Sequence, residues 1–374
     1  MNATHPTSTR QWRILLVLAA LAASIMLIAC GGDSDSSDST ADASPSTSAD
    51  TTGASTTTAS STAPETITIG YQLIPNGDLI VKSEGYLEQA FPDSTIKWVK
   101  FDSGGDVNTA VAGGAIDFGL AGSSPVSNGL ASGIEYKVPW IHDVIGTAES
   151  LVATSDSGVT DVAGLKGKKV ATPLASTSHY SLLVALKDAG LKPTDVQVVD
   201  LEPEAILAAW TRGDIDAAYV WSPTLDELKA DGGVVLTDSA QLAKQGEVTA
   251  DLAVVTNEFA DQYPDAVQTW VDAQNRAVEL YKSDPDAAAA AIASELSIEP
   301  AEALKQTKGL TFLTAEEQSK PRYLGTEAAP GGLAGNLQAA AEFLSSLGQL
   351  EGEATPEKFK DGLAPQYVNA VSGG

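Results

Sequence analysis

From residue 66 onward, short apolar runs alternate with helix-forming runs, and this alternation restricts the fold more than any other feature of the sequence. Strands are predicted at residues 66–72, 95–101, 116–121, 138–145, 151–154, 169–172, 196–200, 215–220 and 252–256. The helical runs between them include 107–113, 180–189, 204–212 and 224–230. Alternation at this spacing is typical of parallel sheets that carry helices on both faces. The sequence therefore predicts an α/β fold.

After residue 260 the strand pattern stops. Runs rich in Ala, Leu, Glu and Gln follow, at 265–281, 286–296, 301–308 and 333–347. Because these residue types have high helix propensity, the sequence predicts that this part of the chain is helical.

The charge and the rare residue types exclude several classes of protein. With 22 Lys and Arg against 49 Asp and Glu, the formal net charge is −27. This excludes a general nucleic-acid binder, since phosphate backbones require a surplus of basic side chains. A single cysteine excludes a disulfide framework and a Cys-rich metal site. Three histidines leave little material for a His-ligated metal centre.

Motifs of several enzyme classes are absent from the sequence. It contains no GxSxG, HExxH, Walker A or Rossmann glycine pattern in the context that each requires. His142 and Asp143 lie in a strand-like run, where a structural role is favoured over a catalytic one. No catalytic group, cofactor or metal is therefore predicted.

The N-terminus has the features of an export signal. Arg10 and Arg13 precede an uncharged apolar run, 14–29, of 16 residues, shorter than the roughly 20 that a spanning helix needs. The run ends in Leu27-Ile28-Ala29-Cys30-Gly31, which resembles a bacterial lipobox. That resemblance implies a signal peptide over 1–29, cleavage before Cys30 and lipidation of its sulfur. The alternative is an ordinary signal peptide followed by a chance cysteine.

Residues 30–64 are predicted to form a disordered tether. After Cys30 they are almost entirely Ser, Thr, Ala, Gly and Asp, with five Asp and neither Lys nor Arg. Such a stretch buries too little apolar surface to offset the entropy of ordering it. The folded part is expected to begin near Glu65.

Three predicted strand-to-helix junctions share one chemistry. They are Ser123-Ser124-Pro125, Ser176-Thr177-Ser178-His179 and Trp221-Ser222-Pro223. In each, Ser or Thr stands where it can cap a helix. Helix N-termini at the carboxyl ends of strands present free N–H groups and suit an anion. The junctions therefore indicate an anion site, with ordinary helix capping as the alternative.

Five segments carry a resemblance to a known family. They are Gly70-Tyr71-Gln72, Lys100-Phe101-Asp102-Ser103-Gly104, Gly122-Ser123-Ser124-Pro125, the run from Ser176 to Leu183, and the run from Ala209 to Trp221. In this order they resemble the nitrate, sulfonate and taurine family of solute-binding proteins of bacterial ABC importers, in its taurine-binding branch. The similarity extends from about residue 66 to about 350, whereas 351–374 resemble nothing distinctive.

The resemblance implies a two-lobed periplasmic-binding-protein (type II) fold with two crossover strands. Lobe 1 would combine residues 65–148 with 256–374, and lobe 2 would be 149–255. The crossings are expected near 149–153 and 251–255. Such lobes close on a ligand buried between them.

The resemblance also implies a site for a zwitterion. The sulfonate is assigned to Ser123, Ser124, Thr177, Ser178 and His179. The ammonium is assigned to Glu149, Asp251 and, less directly, Asp102. Gln72 would add a hydrogen bond, while Tyr71 and Trp221 would wall the cavity. Family members often carry Trp where this chain has Ala253, which implies a roomier pocket.

The implied function is that of an extracytoplasmic, lipid-anchored and monomeric solute-binding protein. It would capture taurine and deliver it to a permease whose ATPase supplies the energy, and it would catalyse nothing. The location would be the periplasmic side or the outer face of the cytoplasmic membrane. Alternatives are a binder of another alkanesulfonate or small zwitterion, an enzyme on the same fold, which would need a cofactor lysine or metal cluster, and a sensory module.

Overall fold

The computed structural model describes residues 63–350 and 352–372. The predicted signal peptide, Cys30 and all of the predicted tether except residues 63 and 64 lie outside the described residues. Within the described part, no helix combines the length and the apolar character needed to cross a bilayer.

The strands and helices are as follows. The strands are β1 (Thr66–Gln72), β2 (Thr95–Phe101), β3 (Phe118–Gly122), β4 (Tyr136–Ile145), β5 (Glu149–Ala153), β6 (Lys169–Thr172), β7 (Gln197–Asp200), β8 (Ala217–Trp221), β9 (Val234–Asp238), β10 (Ala250–Thr256), β11 (Leu310–Thr311), β12 (Gly325–Thr326) and β13 (Ala329–Pro330). The helices are α1 (Gly77–Ser83), α2 (Tyr86–Ala90), α3 (Gly104–Ala112), α4 (Ser123–Ser132), α5 (Thr177–Asp188), α6 (Pro203–Thr211), α7 (Thr224–Ala230), α8 (Ser239–Ala243), α9 (Asn257–Gln262), α10 (Pro264–Ser283), α11 (Pro285–Leu296), α12 (Pro300–Thr307), α13 (Ala315–Gln318), α14 (Leu333–Ser346), α15 (Pro356–Asp361) and α16 (Gln366–Ser372). Short 3₁₀ turns occur at Ser155–Ser157, Val162–Leu165 and Pro193–Asp195.

The larger sheet has the strand order β11-β4-β10-β3-β1-β2. β1 runs parallel to β2 and β3, whereas β10 runs antiparallel to both β3 and β4. The sheet is therefore mixed, and the expectation of purely parallel sheets was wrong. The reason is topological: β10 returns to this sheet from the other lobe and enters between β3 and β4 in the opposite direction.

The smaller sheet has the strand order β7-β6-β8-β5-β9 and is also mixed. β6 is parallel to β7 and β8, and β5 is antiparallel to β8 and β9. The chain enters this sheet after β4 and leaves it after β9. The predicted two-lobed α/β fold is thus confirmed, with one mixed sheet in each lobe.

The strand pairing also locates the two connections between the sheets. Residues 146–148 join β4 to β5, and residues 239–249, which include α8, join β9 to β10. The stretch 251–255, expected to cross between the lobes, is a central strand of the larger sheet over its whole length. We therefore propose lobes that follow the sheets, with β10 assigned to the larger one.

The lobes have separate cores and a shared apolar contact. In the larger lobe, Trp270 of α10 stacks on Phe118 of β3, with ring centroids 4.9 Å apart. In the smaller lobe, apolar clusters cover both faces of the sheet. A further cluster joins α5 and α8 to the C-terminal helix α14, and its members are Tyr180, Leu183, Val184, Leu242, Ala340 and Leu344. The C-terminal part of the chain thus braces both lobes.

Candidate functional site

A cavity lies between the two sheets, at the carboxyl ends of β1, β3 and β8. This is the place where open α/β sheets bind their ligands. Among the described residues no lysine or arginine lines it. Its polar lining residues are Gln72, Glu149, Ser176, Thr177, Ser222, Asp251 and the indole of Trp221. Its apolar wall is formed by Ile74, Pro75, Pro125, Ile145, Ala148 and Leu310, with Gly104 and Gly122.

Two helices, one from each lobe, begin at this cavity. α4 begins at Ser123 directly after β3, and α5 begins at Thr177. The first N–H groups of a helix have no partner within the helix and carry partial positive charge. An anion placed at these two helix starts would need no basic side chain.

The predicted helix caps are correct at one junction of three. The Ser176 hydroxyl caps α5 by accepting a hydrogen bond from the His179 N–H, at 3.1 Å. At α4 the cap residue is Gly122, without a side-chain hydrogen bond. At α7 it is Pro223, while Ser222 Oγ donates to Asp226 at 2.5 Å. The first turn of α4 starts one residue earlier than a serine cap would require, so Ser123 is already helical.

Gly122 permits the starts of α4 and α5 to approach closely. A Cβ atom at this position would lie 2.5 Å from Cγ2 of Thr177, which belongs to the other lobe. Thr177 cannot rotate away without losing the hydrogen bond that its hydroxyl donates to Glu149. Glycine is therefore required for the observed contact between the lobes.

Glu149, the first residue of β5, is 1% exposed and held by hydroxyl groups. Its Oε2 accepts from Thr177 at 2.5 Å, and its Oε1 accepts from Ser239 at 2.7 Å and Ser181 at 3.4 Å. Burial raises the pKa of Glu149, and the nearby hydroxyls, including that of Ser178, lower it in part. A carboxylate has about four acceptor positions, so Oε2 retains one for a ligand.

Asp251 projects from β10 into the cavity without a partner. Its carboxyl group lines the cavity and makes no hydrogen bond with any described residue. Burial, and then the negative charge of Glu149, raise its pKa. Asp251 lies in β10 of the larger sheet, whereas Glu149 lies in β5 of the smaller sheet. A cation between them would contact both lobes.

Asp143 is a third carboxyl group at this end of the cavity, and the sequence analysis gave it only a structural role. It lies in β4 directly beside Asp251, its Cα partner in β10. Its exposure is 0%, and neither carboxyl oxygen has a hydrogen-bond partner among the described residues. Burial, then Asp251 and Glu149, raise its pKa well above the usual range. The signal in the sequence is an acid next to a histidine within a mostly apolar strand.

The remaining predicted site residues occupy different positions. Gln72 lines the cavity and donates from Nε2 to the Leu120 carbonyl, at 3.0 Å. Trp221 lines it beside Glu149, its partner in the β5–β8 register. Ser178 and His179 are buried in the first turn of α5, behind the lining residues. Burial lowers the pKa of His179, which favours the neutral ring.

The two serines at the start of α4 differ in their contacts. Ser123 Oγ accepts from the Ala250 N–H at 3.2 Å and so attaches α4 to β10. The Ser124 hydroxyl is buried and makes no hydrogen bond with any described residue. Neither serine is among the residues that line the cavity, and of the two only Ser124, beside the lining residue Pro125, has a hydroxyl without a partner in the described part of the chain.

Asp102 and Tyr71 lie away from the cavity. Asp102 lines a neighbouring groove, is half exposed and pairs with Lys100 at 3.0 Å. The Tyr71 ring packs edge-on against Trp98, with centroids 5.8 Å apart. Across residues 63–350 and 352–372, no group of three or more His, Cys, Asp or Glu side chains is placed to hold a metal ion.

Comparison with known proteins gives a consistent result. The profile of the family described as NMT1/THI5 like matches residues 82–288. The taurine-binding periplasmic protein of Escherichia coli (strain K12) is 34% identical to this chain over 259 residues, which cover 68% of this chain and 80% of that protein. The crystal structure of the periplasmic aliphatic sulphonate binding protein SsuA from Escherichia coli is 29% identical, with a TM-score of 0.61 over 76% of this chain and 93% of that one.

The same fold also occurs in an enzyme. The crystal structure of the desulfurization enzyme DSZB matches with a TM-score of 0.59 at 19% identity, over 83% of this chain and 99% of that one. At this identity the likeness is one of fold alone.

Proposed function

We propose, from the premise that this chain belongs to the NMT1/THI5 like family, that it is the solute-binding protein of an ABC importer and that its ligand is taurine. The protein would act outside the cytoplasm as a monomer, capture taurine between its lobes and deliver it to a permease. Its relatives named above support a sulfonate or taurine ligand. The choice of taurine rests on the cavity itself.

The observation that carries the proposal is the carboxyl group of Asp251, which has no hydrogen-bond partner among the described residues, in a cavity where two helices begin. Taurine is a sulfonate and an ammonium joined by two carbons. The N–H groups at the starts of α4 and α5 suit the sulfonate, together with the Ser124 hydroxyl. Asp251 and the free acceptor position on Glu149 suit the ammonium. Because no lysine or arginine lines the cavity in the described part of the chain, a ligand without a positive charge would leave these carboxyl groups uncompensated.

This arrangement also explains how a ligand would favour closure. An ammonium between Asp251 and Glu149 contacts the larger and the smaller sheet at once. A ligand shifts a conformational equilibrium only by its differential affinity for the two states. Taurine gains both carboxyl partners only when the lobes are together, so its binding free energy favours the closed form.

The alternatives differ in what they require of the cavity. A plain alkanesulfonate needs the helix N-termini but gains nothing from Asp251. An enzyme that uses a cofactor lysine or a metal would need those side chains at the cavity, and no lysine, histidine or cysteine is among its described lining residues. A sensory module would bind the same ligand, and an adjacent permease gene would favour transport.

Calorimetric titration tests the proposal directly. The secreted chain is titrated with taurine and, separately, with ethanesulfonate, which has the same anion and carbon chain but no ammonium. We expect taurine to bind more tightly. Equal or tighter binding of ethanesulfonate would instead support the plain alkanesulfonate function.

We expect Ser124→Ala to weaken taurine binding by about 1–3 kcal/mol, the scale for losing a hydrogen bond to a charged group. Its effect on thermal stability should be small, because the hydroxyl has no partner among the described residues. Ser178→Ala tests the other lobe, where Ser178 is buried behind the lining residues beside Glu149, so its effect on taurine affinity should be the smaller of the two. Ser123→Ala is the matched control: it removes the bond to Ala250 and should lower the unfolding temperature instead. Unaltered affinity in Ser124→Ala and Ser178→Ala would place the sulfonate elsewhere.

The lipid anchor is a separate proposal that rests on the sequence before residue 63. We expect Cys30→Ser to abolish lipidation and to release the protein from the membrane, because the apolar run before it is short for a spanning helix. Fractionation of cells that express each form measures this. A serine variant that remains in the membrane fraction would contradict the lipobox interpretation.

A further inference from the structure

We infer that Asp143 is a specificity-determining residue of this cavity. From its position beside Asp251, it favours ligands that carry an ammonium group over sulfonates that lack one. The inference deepens the proposed function and rests on it. Asp143 does not line the cavity, so it acts through Asp251 and through its charge rather than by contact with the ligand.

The first support is the position of Asp143 in the sheet. In the antiparallel pair of β4 and β10, Asp143 is the residue directly opposite Asp251. Directly opposed residues place their side chains on the same face, about 5 Å apart at Cβ. Like charges in this relation are destabilising. The pair is therefore an unusual element to find in the centre of a buried sheet unless a positive charge or a proton accompanies it.

The second support is the lack of any structural partner for Asp143. A buried carboxyl group that serves packing is matched by donors, as Glu149 is by Thr177, Ser181 and Ser239. Both oxygens of Asp143 are buried and accept no hydrogen bond from the described residues. The cluster is also not placed to hold a metal ion, as far as the described part of the chain extends. A proton or the positive charge of a ligand would compensate its charge.

The charged groups that act on Asp143 come from two strands. They are Asp251 on β10 and Glu149 on β5, and both are acidic. His142, the preceding residue of β4, is neutral because burial lowers its pKa to about 3. The field at Asp251 is thus uniformly negative or, when the carboxyl groups are protonated, neutral. An ammonium benefits from the ionised cluster, whereas a ligand that brings only negative charge opposes it.

These relations determine what a ligand must do to the cluster. When an ammonium arrives, it favours the ionised carboxylates, so protons held by Asp143 and its neighbours leave on binding. When ethanesulfonate arrives, its negative charge opposes the ionised carboxylates, so the cluster keeps its protons and takes up more, which weakens binding. Asp143 therefore increases both the affinity for an ammonium and the number of protons released, and it decreases the affinity for a plain sulfonate.

The test compares wild type with Asp143→Asn, which has the same shape without the charge. At pH 7.5 we expect taurine affinity to fall about tenfold, the change from one pKa unit of differential interaction. Ethanesulfonate affinity should be unchanged or higher. Titration of taurine in two buffers of different ionisation enthalpy should show fewer protons released by the variant. Asp117→Asn is the control: Asp117 lies at the opposite end of β3 from the cavity and accepts from the Thr68 N–H, and its variant should match wild type in both affinities.

The outcomes separate this inference from the function it rests on. If wild type binds ethanesulfonate at least as tightly as taurine, the proposed function fails and the inference fails with it. If wild type prefers taurine and Asp143→Asn keeps the same ratio of affinities and the same proton release, the inference alone is overturned. Should Asp143→Asn fold poorly, Asp143→Ser removes the same charge with a smaller side chain, and the same two readouts decide.

Discussion

Asp251→Asn is expected to weaken taurine binding by about 3–5 kcal/mol, the scale for losing one member of a buried ion pair. This corresponds to a loss of affinity between about 10² and 10⁴-fold. Asp251 is the carboxyl group that faces the cavity without a partner among the described residues. Without it, an ammonium enclosed there would keep only the one acceptor position that Glu149 has left beside its three hydroxyl donors, and its charge would be poorly compensated.

The same substitution should increase the affinity for ethanesulfonate. That ligand has no ammonium, so the ionised Asp251 repels it and the asparagine does not. The ratio of the two affinities is therefore a better measure than either alone, because damage to the fold would lower both. Parallel loss of affinity for the two ligands would show that Asp251 is structural and would remove the ammonium assignment.

Asp102→Asn is the matched control for this experiment. The sequence placed Asp102 among the ammonium candidates, but its carboxyl group lies in a neighbouring groove, half exposed and paired with Lys100. An exposed pair of this kind contributes about 0–1 kcal/mol, so its loss should leave taurine affinity close to wild type. A large effect at Asp102 would mean that the ligand extends into that groove.

The α/β fold could be predicted because strand and helix periods record burial. Strands β1, β2 and β6 were predicted with their observed ends. β9 was missed, because Val234 and Val235 are about 40% exposed and the strand is held by pairing with the distant β5 rather than by an apolar pattern. Three two-residue strands after residue 260 contradict the prediction that strands stop there. Such short bridges carry no periodicity to detect.

Helix α4 shows where local propensity fails. Its ten residues include four Ser, one Pro, one Gly and one Asn, a composition that disfavours a helix. It forms because eight of those residues are buried against neighbouring elements. Tertiary packing, which the local sequence does not contain, therefore determines this helix and with it one of the two N-termini at the cavity.

The residues of the candidate site could be predicted where the family resemblance identified them. They could not be predicted where their position depends on strand register. Gln72, Glu149, Thr177, Trp221 and Asp251 were assigned through the family resemblance, and all line the cavity. Asp143 belongs to no such segment. Its significance depends on the β4–β10 register, which joins residues far apart in the chain. The partners of a buried acid are non-local, so a sequence pattern alone cannot reveal that it lacks them.

The stability of the ligand-free protein is expected to fall as the pH rises from 5 to 8. Burial raises the pKa of Asp78, in α1, to about 7, against only a partial lowering by the hydrogen bond that Gln274 donates at 2.6 Å. The pKa of Asp251 is raised as well. Between the ordinary pKa of an Asp, about 4, and these folded values, the folded state holds protons that the unfolded state has lost. The free energy of unfolding therefore decreases with pH across this interval.

His142, 3.7 Å from Asp78, opposes this trend in part of the range. Because burial lowers its pKa to about 3, only the unfolded state takes up a proton at this ring between about pH 3 and the usual value of about 6.5. The contribution of His142 to the free energy of unfolding therefore rises with pH up to about 6.5 and is constant above that pH. The acids thus dominate most clearly between pH 6.5 and 8, where the contribution of His142 is constant.

Urea unfolding at pH 5, 6.5 and 8 measures this dependence, and two manipulations assign it to residues. Asp78→Asn should remove the contribution of Asp78 to the pH dependence, so that the free energy of unfolding changes less between pH 5 and 8. Taurine affinity should be unchanged, since Asp78 lies outside the cavity lining. Saturating taurine should instead remove the contribution of Asp251 to the pH dependence of stability, because the ammonium stabilises the ionised form of Asp251 and lowers its pKa. The two effects should add, as the groups have separate partners. A free energy of unfolding that rises steadily from pH 5 to 8 would show that these acids are ionised in the ligand-free protein. If the pH dependence is the same with and without taurine, the ammonium does not reach Asp251.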